Sequence, residues 1–263
     1  MRPTTLLATA ALFAAATSAV TGMGSLNSYT AHLVFSPNTA GSSTDPSAIG
    51  FTENYVVGGT AGNRPAPLMH IRTTIYGVVS NGKKFPTCSV AKILASGTDT
   101  ACPTGALVAT GRITAMFGPA SDQSSSPGQT TPCDPVLDVW NAGQGKVVYF
   151  FVEGASSSCA GMTTGAIAPF SGTIRIAGKD LVMNTPFPRS VSYPSPNIEL
   201  SLMSETLTWK NLSTKLRNGR TVPYFASITC KNGGRPYSTA FTAQPGPTAA
   251  PQSGTVRGVQ RCE

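Results

Sequence analysis

Apolar and polar positions alternate over short stretches along most of this chain. In SYTAHLVFSP the pattern sets Tyr29, Ala31, Leu33 and Phe35 on one side, and a two-residue period marks a strand with one covered face. FTENYVV predicts a second short strand. PLMHIRTTIYGVV then puts Met69, Ile71, Ile75 and Val79 on one face, and ALVATGRITAMF does the same for Leu107, Ile113 and Phe117. PVLDVWN and KVVYFFVEG, joined by Ala142-Gly143-Gln144-Gly145, predict a hairpin. The run Val147 to Val152 is apolar on both faces, so its strand belongs in the middle of the fold with both sides covered. GTIRIAG and DLVMNTP pair across Gly178-Lys179. In NIELSLMSETLTW the phase changes: Ile198, Leu200 and Leu202 share one parity, Leu207 and Trp209 the other, which predicts a bulge or bend near Ser204-Glu205. VPYFASITC and RPYSTAFTA predict a last pair around Asn232-Gly233-Gly234.

The segments between these runs are rich in Ser, Thr, Gly and Pro. GGTAGNRPAP reads as a linker, and residues 118–132 hold no apolar anchor, as expected of a surface loop. Asn81-Gly82 and Asn218-Gly219 read as turns, a pairing favoured where positive φ is required. TPFPRSVSYPSPN has to run extended, because its prolines cannot donate to a ladder. No long stretch shows helical spacing and no repeat has a fixed period. The pattern predicts an all-β chain, an antiparallel β-sandwich of about ten to twelve short strands. Its domain spans residues 23–243, and residues 244–263 form a Pro/Gly-rich tail.

Met1-Arg2 followed by the apolar run Leu6 to Val20 has the anatomy of a secretory signal peptide over residues 1–22. That run is shorter than the roughly 20 residues of a spanning helix, and no later stretch is long and apolar enough to cross a bilayer. A secreted, extracellular or envelope location is therefore expected. Six cysteines in such a chain, without C-x-x-C spacing or a Cys/His cluster, read as three disulfides rather than a metal site. Sequential pairing closes the most local loops: Cys88 with Cys102, Cys133 with Cys159, Cys230 with Cys262. The first closes about 15 residues, worth roughly 3 kcal/mol of unfolded-state freedom.

The net charge of +8 is unevenly placed. Residues 20–205 carry equal numbers of both signs, so the surplus lies after Glu205. There Lys210, Lys215, Arg217, Arg220, Lys231, Arg235, Arg257 and Arg261 face only Glu263. The first six define a candidate basic patch for an anionic cell-envelope polymer. Without a reading motif, nucleic acid is not the expected partner, and nothing in the sequence speaks to oligomeric state.

Candidate chemistry is thin. His32 and His70 fall on the polar sides of their strands, apart from any H-x-H or H-E-x-x-H spacing. No G-x-S-x-G marks a serine nucleophile, and no glycine loop is arranged to cradle phosphate, so neither a metal nor a cofactor is expected. Asp138, Glu153, Glu199 and Glu205 are the acids on or beside strands from which a glycosidase pair would be drawn, but outward-facing charge on strand edges is the favoured reading of all four. Trp140, Trp209, Tyr149, Tyr193 and Tyr224 alternate with apolar neighbours, which favours core packing over a sugar platform.

Three groups of residues carry a resemblance. They are Phe85-Pro86-Thr87-Cys88-Ser89, then Ala101-Cys102-Pro103-x-Gly105 with Gly111, and finally Tyr224-Phe225 through Cys230 to Gly234-Arg235-Pro236-Tyr237-Ser238 with Phe241. In these the chain resembles a family of uncharacterised secreted bacterial β-rich proteins. The resemblance implies an exported β-rich domain with Cys88 paired to Cys102, and no activity or catalytic residue comes with it. The expected function is that of a non-catalytic exported β-sandwich, with a secreted hydrolase or carbohydrate-binding domain acting on sugars or esters as the alternative.

Overall fold

In the computed structural model, which describes residues 22–23, 26–59, 63–119, 131–152 and 167–262, the two-residue alternation becomes an antiparallel β-sandwich. β1 (Gly22–Met23) and β2 (Asn27–Ser36) lead the chain, and Tyr29, Ala31, Leu33 and Phe35 of β2 are all buried as their parity requires. β3 (Ser47–Gly59) pairs along the whole of β2 and is longer than FTENYVV alone suggested. The linker that follows is pinned down. Asn27 exchanges hydrogen bonds with the backbone of Ala66, at 2.8 and 3.0 Å, and Ser201 donates to Pro65 O at 2.6 Å.

PLMHIRTTIYGVV gives two strands, β4 (Leu68–Tyr76) and β5 (Val78–Ser80), broken at Gly77. Its φ of +72° and the close approach of the Thr229 carbonyl suit no other residue. Asn81 and Gly82 do not need positive φ. Asn81 has φ −109° and Gly82 opens a short 3-10 turn. Between Cys88 and Cys102, which are bonded, the polar loop contains a helix missed by the strand pattern, α1 (Val90–Ser96). Ser89 caps it by accepting from Lys92 N, and Gly97 ends it at φ +67°.

β6 (Leu107–Pro119), β7 (Thr131–Cys133), β8 (Val136–Gly143) and β9 (Lys146–Val152) follow. A register shift between Leu107 and Ala109 turns Leu107 away from the face that carries Ile113, contrary to their predicted common side. β9 is covered on both faces. Val147, Tyr149 and Phe151 enter the main core, whereas Val148 and Phe150 join Cys88, Ile93, Ala106 and Trp140 in a second cluster beneath α1. β10 (Phe170–Ala177) and β11 (Asp180–Pro186) form the predicted hairpin. Four residues of the proline-spaced crossing close into α2 (Arg189–Ser192) rather than running extended.

β12 (Ile198–Trp209) carries the expected phase change, a register shift between Leu202 and Ser204. β13 (Ser213–Lys215) and β14 (Thr221–Pro223) make a small separate hairpin around Gly219. β15 (Phe225–Ser227) pairs with β3 and β5, not with the strand after it. The last pair is instead β16 (Gly234–Ala243) with β17 (Gln252–Arg261). Half of the expected tail is thus a strand of the fold, and Cys262 is bonded to Cys230. The pairing of Cys133 with Cys159 and the signal segment before Gly22 lie outside the described residues.

The main sheet runs β1-β2-β3-β12-β6-β8-β9-β10-β11-β4-β16-β17 and, with three short strands off this path, has 15 strands among the described residues. The excess over the expected count comes largely from strands of two or three residues. The sheet turns back on itself, so that β2 and β3 face β4 and β16. Tyr29 stacks on Phe241 at 4.6 Å, and Tyr55 meets Phe241 edge-on at 5.4 Å. Where β17 returns beside β2, side chains close the seam: Phe35 N donates to Gln260 Oε1 at 2.7 Å, and Asn38 Nδ2 donates to Arg261 O. No helix among the described residues is long and apolar enough to cross a membrane.

Candidate functional site

The basic residues of the C-terminal third divide into separate places. Lys215, Arg217 and Arg220 are exposed on the β13–β14 hairpin and its turn, with Lys210 half-buried just before it. Lys231 is exposed on the turn ahead of β16, and Arg257 and Arg261 are exposed on β17. Arg235 is a correction, because it is fully buried and takes no part in a surface patch. It lies over the Phe35 ring at 5.1 Å, and its guanidinium donates to Tyr76 O, Gly77 O, Thr39 O and Ser227 Oγ. Carbonyl dipoles and a ring face stand in for a carboxylate there, and burial draws its pKa down to about 10.

Beside the β13–β14 hairpin runs a groove of about 760 Å³. Its lining includes Lys84, Arg220, Asn81, Ser43 and Thr44, with Asp45 the one acid among the described lining residues. Lys84 comes from the 3-10 turn after β5. The groove therefore joins a base from the N-terminal half to the charged hairpin.

The three strand acids among the described residues do not converge. Asp138 lies beside Asp99, whose carboxylate accepts from Trp140 Nε1 at 3.2 Å. Burial raises the Asp138 pKa and the Asp99 charge adds to this, against a hydrogen bond from Thr110. Glu199 is fully buried in an ion pair with Arg64 at 2.9 Å. Glu205 is buried in the main core, and Glu153 lies outside the described residues. Outward-facing edge charge is thus the wrong description of Glu199 and Glu205. The five aromatic candidates are buried in core packing, as their alternation favoured. His32 and His70 sit half-buried on separate strands, and no cluster of three metal-ligating side chains occurs among the described residues.

Glu53 was overlooked as a site residue, although FTENYVV carries the signal: Phe51, Glu53, Tyr55 and Val57 share the core parity of β3. It is 4 % exposed. Trp209 Nε1 donates to its Oε2 at 3.1 Å. In the ladder Glu205 stands opposite Tyr55, two residues from Glu53. The two acids are therefore diagonal neighbours on one face, about 7–8 Å apart. Both line an interior cavity with Ile71, Ile113, Leu137 and Phe170. Two hydroxyl pairs stand in its wall, Tyr55 with Thr73 at 2.8 Å and Tyr149 with Thr185 at 2.7 Å.

Burial pushes Glu53 up to about 7, against hydrogen bonds from Trp209, Tyr55 and Thr73. Burial and the Glu53 charge push Glu205 up to about 8. The space open to the centres of water molecules is about 30 Å³. That is room for two or three waters at most, at about 10–15 Å³ each, and far too little for a sugar ring. These carboxyls cannot flank a glycosidic bond.

Fold and site together define a disulfide-stapled antiparallel β-sandwich with an interior acid pair and an exposed basic groove. No protein family, curated protein or solved structure matches the chain.

Proposed function

We propose that this chain is a non-catalytic exported β-sandwich that holds an anionic polymer of the cell envelope or extracellular space along the β13–β14 groove. The observation that carries this reading is the meeting of Lys84 and Arg220 in one open groove, with Lys215 and Arg217 exposed on the adjoining hairpin. Fixed cations along a trough attract a charged chain over about a Debye length, roughly 10 Å at 0.1 M salt. The dispersal of Asp138, Glu199 and Glu205 among three different neighbours weighs against the hydrolase alternative. The test is retention of the purified chain on isolated cell-wall polymer at rising salt. Binding should fall with salt, weaken severalfold in Lys84→Glu and Arg220→Glu, and survive Arg257→Glu on β17. Indifference to wall and salt, or equal losses in all three variants, would overturn the proposal.

A further inference from the structure

Arg235 is a buried cation without an anion. Its guanidinium donates to Tyr76 O, Gly77 O, Thr39 O and Ser227 Oγ, and no carboxylate forms an ion pair with it. Its remaining polar contact is sulfur, because Nη2 lies 3.7 Å from Cys230 Sγ, one half of the bond to Cys262. The oxygens and the Phe35 ring fix its charge beside that sulfur. With a pKa of about 10 it stays protonated at neutral pH.

Thiol–disulfide exchange is fastest when the departing sulfur is the more stable thiolate, and an adjacent arginine lowers a thiol below its usual pKa of about 8.5. Arg235 touches the sulfur of Cys230 and not that of Cys262, so the two halves are unequal. Cys230 is the better leaving group, and Cys262, half-buried just beyond β17, is the sulfur open to attack. The flanking charges do not oppose this. Lys231 and Arg261 each adjoin one of the cysteines, and Asp180, opposite Tyr76 in the ladder, makes no ion pair with Arg235. The Cys88–Cys102 bond is the contrast: Cys88 is 1 % exposed in an apolar cluster with Ile93, Trp140 and Phe150, which disfavours a departing thiolate. Opening the Cys230–Cys262 bond also leaves the fold in place, since β16 and β17 stay paired and Asn38 Nδ2 still donates to Arg261 O.

We propose that Cys262 is a site of reversible modification by a low-molecular-weight thiol, with Cys230 as the leaving sulfur and Arg235 as the cation that receives it. The attacking thiolate forms a new S–S bond to Cys262, the Cys230–Cys262 bond breaks, and its electron pair stays on Cys230 as a thiolate paired with Arg235. One disulfide replaces another, so the thiol is the sole co-reactant. Attack of Cys230 on the adduct reverses the step.

The test exposes the full chain near neutral pH to limiting reduced glutathione, quenches with iodoacetamide and maps the cysteines by mass spectrometry. Glutathione should appear on Cys262 and the alkyl group on Cys230, about tenfold faster than Cys88–Cys102 opens. In Cys262→Ser the Cys230 thiol should alkylate with a pH midpoint at least about one unit below 8.5, and adding Arg235→Met should return the midpoint to 8.5 or above. Absence of an adduct, glutathione on Cys230, equal opening of the two bonds, or a Cys230 midpoint that is not lowered would each overturn the proposal. Should the Arg235→Met chain fail to melt cooperatively, the position of the adduct and the Cys262→Ser titration decide the matter.

Discussion

Glu205 sets a sharp pH dependence on stability, which can be worked out from its surroundings. In the unfolded chain its carboxyl titrates near 4.5, whereas in the fold burial and the Glu53 charge hold it near 8. Below pH 4.5 the carboxyl is protonated in both states and its contribution to stability is present in full. As pH rises further the unfolded state ionises first, so stability is lost from about pH 4.5 until the folded group ionises near pH 8, then levels off. At about 1.4 kcal/mol per unit, the shift corresponds to roughly 5 kcal/mol. Glu53, raised from 4.5 to about 7, adds up to roughly 3 kcal/mol on the same scale. The two do not sum, because part of the Glu205 shift is the Glu53 charge itself. The perturbation is Glu205→Gln, which removes one titration and with it the whole of the repulsion between the two carboxylates. A buried amide costs about 1–3 kcal/mol if unsatisfied, but it costs that at every pH, so the slope rather than the offset carries the information. Urea unfolding between pH 4.5 and 9 should show the unaltered protein losing several kcal/mol and Glu205→Gln losing less than half as much. Parallel curves for the two proteins would refute the reasoning.

Other perturbations test separate parts of the fold. Glu199→Gln leaves Arg64 buried without its anion and should cost about 3–5 kcal/mol in denaturant unfolding, whereas a loss below 1 kcal/mol would show that the pair contributes little. Gly118→Ala drives a methyl into the Arg64 guanidinium, and a loss of about 1–3 kcal/mol is expected from the overpacking. Replacing Cys88 and Cys102 together by Ser should lower stability by roughly 3 kcal/mol while near-ultraviolet dichroism of the main aromatic core persists. Deleting residues 244–263 strips β17 from β16 and exposes an unpaired edge, so the shortened chain should sediment as aggregate where the full chain remains soluble.

Strand parity made most of the architecture legible, and its failures have local causes. Tyr29, Ala31, Leu33 and Phe35 are buried together because a pleat leaves them no choice. The helix α1 escaped because seven residues with one buried side chain, Ile93, make no periodic pattern. Its signals are the Ser89 cap and Gly97, which are short-range turn chemistry. β17 escaped because Gln, Ser, Gly and Arg dominate it and Val256 alone is a fully buried apolar residue. That strand is held by ladder hydrogen bonds and Cys262, neither of which composition reveals. Arg235 looked like surface charge because its partners are backbone carbonyls from Thr39, Tyr76 and Gly77, far away in sequence.

The interior acids follow from the same parity argument carried one step further. The bulge between Leu202 and Ser204 exists so that Leu200 and Leu202 on one side of it, and Leu207 and Trp209 on the other, can all face the core. Glu205 lies two residues before Leu207, so the shift that buries Trp209 buries the carboxyl as well. Glu53 is caught in the same way between Phe51 and Tyr55, each of which packs on Phe225 or Phe241. Once both acids are inside, Glu53 accepts the Trp209 indole hydrogen, a donor that would otherwise lack a partner. One oxygen of Glu53 is thus consumed in holding the tryptophan. A β12 without the bulge would have turned Glu205 outward, at no loss to the Leu200–Leu202 segment but at the loss of Trp209. The burial of that indole and the creation of an uncompensated acid pair are therefore one structural event.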